Sequence, residues 1–160
     1  MKQATICFLV RNGQVILAPK KAKVGVGFLN GYGGKQDEGE TLRECVRRET
    51  QEESGGVQIN LEKTELVAVI VFYAGDNPQF SCSIYIAREW EGTPEESDEM
   101  GPPESFDVNS LPVERMLPGD RLWFERIIKG ERFKGTLRYT ADFKEVHNFE
   151  THPVEFSPEE

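Results

Sequence analysis

Three glutamates, Glu49, Glu52 and Glu53, stand close together, and two pairs of glycines bracket them, Gly33-Gly34 before and Gly55-Gly56 after. Carboxylates are hard oxygen donors. A cluster of them suits Mg²⁺, which shares its coordination shell with substrate phosphates. Glycine lets a backbone approach a ligand closely. The chemistry within reach of these residue types is metal-assisted attack on a phosphate chain.

The element that must position them is a helix. Thr41 can cap its first turn while Glu44 reaches back to the cap, the pattern of a capping box. Leu42, Cys45 and Val46 then share one face at about 100° per residue. Glu49 and Glu53 continue that apolar face, with Glu52 at its edge. Unpaired carboxylates are costly to bury, so these should be paired or bound to a metal. Glu44–Arg48 and Arg48–Glu52 are spaced instead as ion pairs on a solvated face. Gly55 and Gly56 can end the helix through a left-handed cap.

At 160 residues the chain suggests one domain with room for a core. No apolar run is long enough to span a membrane, and the first residues lack the pattern of a secretory signal. Cys7, Cys45 and Cys82 match no metal-ligand spacing and suit a reducing compartment, so a cytoplasmic location is expected. A net charge of −9 argues against a nucleic-acid polymer as partner. It does not exclude a nucleotide held through metal ions.

Strands are expected over residues 3–10 and 14–18, joined by an Asn12-Gly13 hairpin turn. Others fall within 57–73, 79–87, 131–139 and 142–149, with a turn at Gly75-Asp76-Asn77-Pro78. Asn30 before Gly31 reads as a turn residue. Residues 91–100 form a polar, mostly acidic loop. Asp120 is placed to cap a second helix whose Leu122, Trp123, Phe124, Ile127 and Ile128 face inward. His147 reads as structural. Residues 151–160 are expected to fray as an acidic tail.

The stretch Gly34, Glu40, Arg48, Glu49, Glu52, Glu53, Gly55 resembles the Nudix box, G-x5-E-x7-R-E-U-x-E-E-x-G-U with U aliphatic; Thr50 and Gly56 depart at the two U positions. The resemblance implies an α/β chain with the Nudix fold, an α/β/α sandwich with a mixed central sheet, over residues 1–150. Leu29-Asn30-Gly31-Tyr32, Gly92-Thr93-Pro94 with Glu96 to Met100, and Leu111-Pro112 to Trp123-Phe124 are similar to the MutT-homologue branch. That branch implies Mg²⁺-dependent, or Mn²⁺-dependent, hydrolysis of oxidised purine nucleoside triphosphates such as 8-oxo-dGTP to the monophosphate and pyrophosphate.

By the same resemblance, metal contacts come from the Gly33 carbonyl, Glu49, Glu52, Glu53 and Glu99. Glu52 is the first choice of general base, with Glu53 and Glu99 open, and Arg48 orients the glutamates. Lys20 touches the phosphates. Thr5, Asn30, Phe72, Leu117 and Asp120 line the base pocket. The mammalian member carries Trp at the positions of Leu117 and Leu29, and a second Asp at that of Gly119, so the choice of base is left open. A dinucleoside polyphosphate, a nucleotide sugar, a capped RNA end or a non-catalytic nucleotide sensor are the alternatives. The small-molecule nucleotide is the expected partner, and a monomer the expected state.

Overall fold

A computed structural model describes residues 1–160. Strand β1 (Lys2–Arg11) turns through Asn12 and Gly13, both at positive φ, into β2 (Gln14–Pro19). Two positive φ values in a two-residue loop give the twist that flanking strands need. Short strands β3 (Leu29–Asn30) and β4 (Tyr32–Lys35) precede helix α1 (Leu42–Glu53). After β5 (Gln58–Ile59) come the long pair β6 (Thr64–Ala74) and β7 (Asn77–Ala87), then β8 (Trp90–Glu91) and β9 (Glu104–Asp107). Helix α2 (Phe124–Ile128) leads into β10 (Phe133–Tyr139) and β11 (Val146–Pro153).

Nine strands form one sheet in the order β11-β10-β6-β7-β1-β2-β3, with β4 paired to β1 and β9 to β2. The β1–β7 and β6–β10 pairs are parallel and the rest antiparallel, so the sheet is mixed. Strand β1 reads as a continuous apolar run because both its faces are covered. Phe8 and Val10 join Trp123, Phe124 and Ile127 on the α2 face, while Cys7 and Leu9 join Val46, Tyr32 and Tyr85 on the α1 face. Phe8 lies 4.7 Å from Phe124 between ring centroids. The expected α/β/α sandwich with a mixed sheet is the observed one.

Several local expectations change. The turn before β7 occupies only Gly75 and Asp76; Pro78 lies in the strand opposite Tyr73, at a register shift. A bulge tolerates a residue with no N–H to give to the ladder. Leu122 is 43% exposed rather than inward. Strand β11 continues past 149 to Pro153 because it pairs with β10 through its main chain. Beyond it, the Val154 N–H donates to the Arg132 carbonyl, Phe156 packs on the α1-side core, and Arg43 donates to the Glu160 carbonyl at 3.1 Å, so the expected frayed tail is packed against the domain. No helix is long and apolar enough to cross a membrane.

Candidate active site

Helix α1 is fixed at both ends. The Thr41 hydroxyl accepts the Glu44 N–H at 3.1 Å, although the Glu44 carboxylate does not return the bond. At the other end Gly55 adopts a φ of 75°, and the Gly56 N–H reaches back to the Gln51 carbonyl at 2.8 Å. That six-to-one bond is the Schellman closure that glycine makes possible. Cys45, Val46, Thr50 and Glu53 face the sheet and are buried.

Arg48 organises the carboxylates around it. It holds Glu40 with two contacts, Nε to Oε2 at 2.6 Å and Nη2 to Oε1 at 2.9 Å. A planar guanidinium suits a carboxylate in this forked geometry. The hydrogen bond from Arg48 pulls Glu40 down to about 2. The Nη1 group also donates to Glu49 at 2.8 Å and to Glu52 at 3.3 Å. Glu49 is pushed up by burial, and its contact with Arg48 opposes this. Its carboxylate lies over Gly34, where a Cβ would stand 2.4 Å from Glu49 Oε2. Glu52 is 59% exposed.

Glu53 is buried, and its Oε1 accepts the Gly33 N–H at 2.9 Å. The acidic loop is pinned to this end of the helix. Ser97 Oγ donates to the Glu53 carbonyl at 2.7 Å, the Met100 N–H donates to Ser97 Oγ at 3.2 Å, and the Glu95 N–H donates to the Ser54 carbonyl. Glu99 is thereby brought beside Glu53. Burial, with Glu99 next to it, raises Glu53, while Glu99 is lowered by the same contact. A cleft of about 520 Å³ opens here, lined by Glu52, Glu53, Gly55 and Glu95 to Glu99.

No three acidic side chains converge as a ready ligand cluster. Glu53 and Glu99 come together, whereas Arg48 holds Glu49 and Glu52 towards itself. The donor set nonetheless fits a hard divalent cation. It is all oxygen, and the Glu53–Glu99 pair is one that a cation between the two carboxylates would relieve.

Lys20 follows β2, and its charge acts on Glu53, Glu99 and Asp120 alike. Asp120 is not a helix cap. It opens a short 3₁₀ turn after Gly119, makes no capping bond, and is 4% exposed. Burial pushes it up to about 7, eased by Lys20. Phe72 is buried on the same α2 face, stacked on Phe80 at 5.0 Å. Leu117 sits against Gly25, where a Cβ would come within 3.0 Å of Leu117 Cδ1. Asn30 lies in β3 rather than in a turn; it is buried, and its Oδ1 accepts the Gly31 N–H at 2.8 Å.

Thr5 stands apart from Phe72. It shares the parity of Cys7 and Leu9 in β1, and its hydroxyl meets Cys45 Sγ of α1 at 3.4 Å. Its side chain therefore stands on the face opposite Phe72. Two contributors escaped the sequence reading. Ser97, the tether of Glu99, gave no local signal. Tyr139, whose hydroxyl accepts the Gly119 N–H at 3.0 Å, was signalled only by the missing side chain at Gly119.

The carboxylate-bearing helix between two glycine pairs and the mixed sandwich around it define a class, and the chain belongs to it: the Nudix domain family, whose pattern matches residues 1–130. Members of this family generally use divalent metal ions. Among individual proteins, the chain is 36% identical over 139 residues to an oxidized purine nucleoside triphosphate hydrolase of Danio rerio, covering 86% of each. It is 32% identical over 136 residues to the Mus musculus protein of that name, covering 84% of this chain and 85% of the other. A MutT protein from Bacillus halodurans superimposes with a TM-score of 0.81 at 28% identity, over 97% of this chain and all of that one.

Proposed function

We propose that this Nudix hydrolase cleaves purine nucleoside triphosphates, oxidised purines such as 8-oxo-dGTP among them, to the monophosphate and pyrophosphate. Such a reaction removes damaged nucleotides from the precursor pool. The observation that carries the reading is that the charge of Lys20 reaches three acidic groups at once. The paired carboxylates Glu53 and Glu99 lie within its field, and so does the buried carboxyl of Asp120. A phosphate chain near Lys20 can therefore have its reacting end at the glutamates and its base at Asp120. The relatives named for oxidised purines support this choice of substrate.

Glu53, Glu99, Glu49 and the Gly33 carbonyl would hold Mg²⁺, or Mn²⁺, which when bound would neutralise phosphate charge and lower the pKa of the attacking water. Glu52 would serve as the general base towards that water. It is exposed to the cleft, and its single 3.3 Å contact with Arg48 holds it in direction without burying it. Arg48 and Glu40 position the glutamates rather than the substrate. The phenyl ring of Phe72 and the amide of Asn30 complete the base pocket. The enzyme acts as a monomer in the cytoplasm on free nucleotides, and its charge of −9 disfavours polymeric nucleic acid.

The test is a Mg²⁺-dependent panel of 8-oxo-dGTP, 2-hydroxy-dATP, dGTP, dATP, diadenosine polyphosphates and ADP-ribose, scored by kcat/KM. Preference for an oxidised purine triphosphate is expected. Preference for a dinucleotide or ADP-ribose refutes the substrate and leaves the metal site standing. Binding without turnover refutes the enzyme reading itself.

A further inference from the structure

On the α2 face, beside the unpartnered Trp123 Nε1, two buried residues keep hydrogen-bonding capacity that the protein does not use. Asp120 is 4% exposed, and no group of the protein donates to its carboxylate. Tyr139 is 5% exposed at the end of β10. Its oxygen accepts the Gly119 N–H at 3.0 Å, and the charge of Asp120 acts on it. A phenol oxygen that accepts one bond keeps its own proton to donate. That proton finds no acceptor within the protein. Buried donors and acceptors left unmade are expensive, so the pair points to a ligand that completes both.

Gly119 explains why the hydroxyl is there. A Cβ at this position would lie 2.2 Å from Tyr139 Oη, 2.8 Å from its Cζ and 3.1 Å from Leu137 Cδ1. No side chain fits while Tyr139 holds its place. The chain thus puts a neutral donor where a second side chain from the 116–123 segment would otherwise stand. Register places the group near Phe72. Tyr139 pairs with Ala74 and Leu137 with Phe72, so Tyr139 lies two residues along the same face from the partner of Phe72.

Resting on the nucleotide reading above, we propose that Tyr139 reads the base: its hydroxyl donates to O6 of a guanine-type purine while Asp120 accepts from N1–H and N2–H. The edge of guanine offers one acceptor followed by two donors. One hydroxyl donor and one carboxylate with two acceptor oxygens match it group for group. Adenine presents a single amino donor beside a ring acceptor on that edge, and one carboxylate oxygen is then left empty. The pocket therefore favours guanine-type over adenine-type nucleotides, oxidised or not.

The test is equilibrium binding to the full chain with Mg²⁺, by calorimetry, of dGMP, dAMP and the deoxynucleoside monophosphate of 6-thioguanine, which keeps N1–H and N2–H and replaces O6 by sulfur, a weak acceptor. Wild type is expected to bind dGMP about tenfold more tightly than either of the others, the value of roughly one hydrogen bond. Tyr139→Phe, checked for folding by its thermal transition, is expected to lose that distinction between dGMP and the 6-thioguanine nucleotide. If Tyr139→Phe does not fold, the wild-type comparison alone decides. Equal binding of dGMP and the 6-thioguanine nucleotide by wild type overturns the proposal, as does an unchanged ratio in a folded Tyr139→Phe. A wild type that binds none of the three overturns the nucleotide reading with it.

Discussion

Asp120→Asn should stabilise the protein while disabling it, and the stabilisation should depend on pH. The Asp120 carboxyl is moved from 3.8 to about 7 by burial. At ~1.4 kcal/mol for each tenfold change in proton affinity, ionising it inside the fold costs about 4 kcal/mol more than ionising it in the unfolded chain. A carboxyl raised in this way contributes fully to stability below 3.8, and that contribution is lost as pH rises through about 7. Asparagine never ionises. The variant should match wild type at about pH 4 and exceed it by up to about 4 kcal/mol above pH 8. Urea unfolding of both proteins across this range is the assay. The difference between them matters more than either curve, because the net charge of −9 makes both proteins lose stability with rising pH through general repulsion. Turnover should move the other way, with kcat/KM falling about 10- to 100-fold through the loss of a charged hydrogen-bond acceptor. A stability difference that stays flat from pH 4 to 9 refutes the claim that Asp120 is buried without a partner.

Two further substitutions probe the glutamate end. Glu53→Gln should lower kcat by more than about 100-fold while leaving the thermal transition in place, because it removes a metal oxygen but keeps the bond from the Gly33 N–H. Retained turnover in the folded variant removes Glu53 from the mechanism. Ser97→Ala should weaken Mg²⁺ binding about tenfold by releasing the Glu99 loop from the Glu53 carbonyl. Titration of the metal at fixed substrate reads that loss, and unchanged affinity shows that Glu99 needs no tether.

Much of the glutamate site could be read locally. The cap at Thr41, the apolar stripe through Val46 and the closing Gly55-Gly56 all act within one helix, and spacing encodes them. The hairpin at Asn12-Gly13 is local in the same sense. Strands β3 and β4 were not legible, because so few residues carry no period. Close backbone approach holds them instead: a Cβ at Gly33 would fall 1.9 Å from the Thr5 carbonyl oxygen. Strand β11 was expected over 142–149 and runs Val146–Pro153; it is largely solvent-facing, so no apolar alternation marks its ends. The side of Thr5 is legible in its parity with Cys7 and Leu9, which sets it on the α1 face. Asp120 looked like a cap because an acid before an apolar run normally is one. Its burial beside Tyr139 is a tertiary fact, and no local spacing reports it.

This difference in legibility has a physical basis in what each end of the site must do. Holding a metal against a phosphate chain needs several oxygens at fixed spacing, and on the proposed reading one helix supplies two of the four, Glu49 and Glu53. Reading a base needs a donor and an acceptor set in a plane, and on the proposed reading they come from residues 120 and 139, nineteen positions apart on different elements. Substitutions at Gly119, Asp120 or Tyr139 can therefore alter the base without moving the glutamates, since the Gly33 N–H holds Glu53 and Arg48 holds Glu49. On the proposed reading the two ends meet at Lys20, whose charge reaches Glu53, Glu99 and Asp120 together. That position follows β2, the strand whose backbone also pairs with β3 and with β9 on its way between the two loops. Base recognition and phosphate chemistry are thus separable in sequence and coupled by one lysine in space.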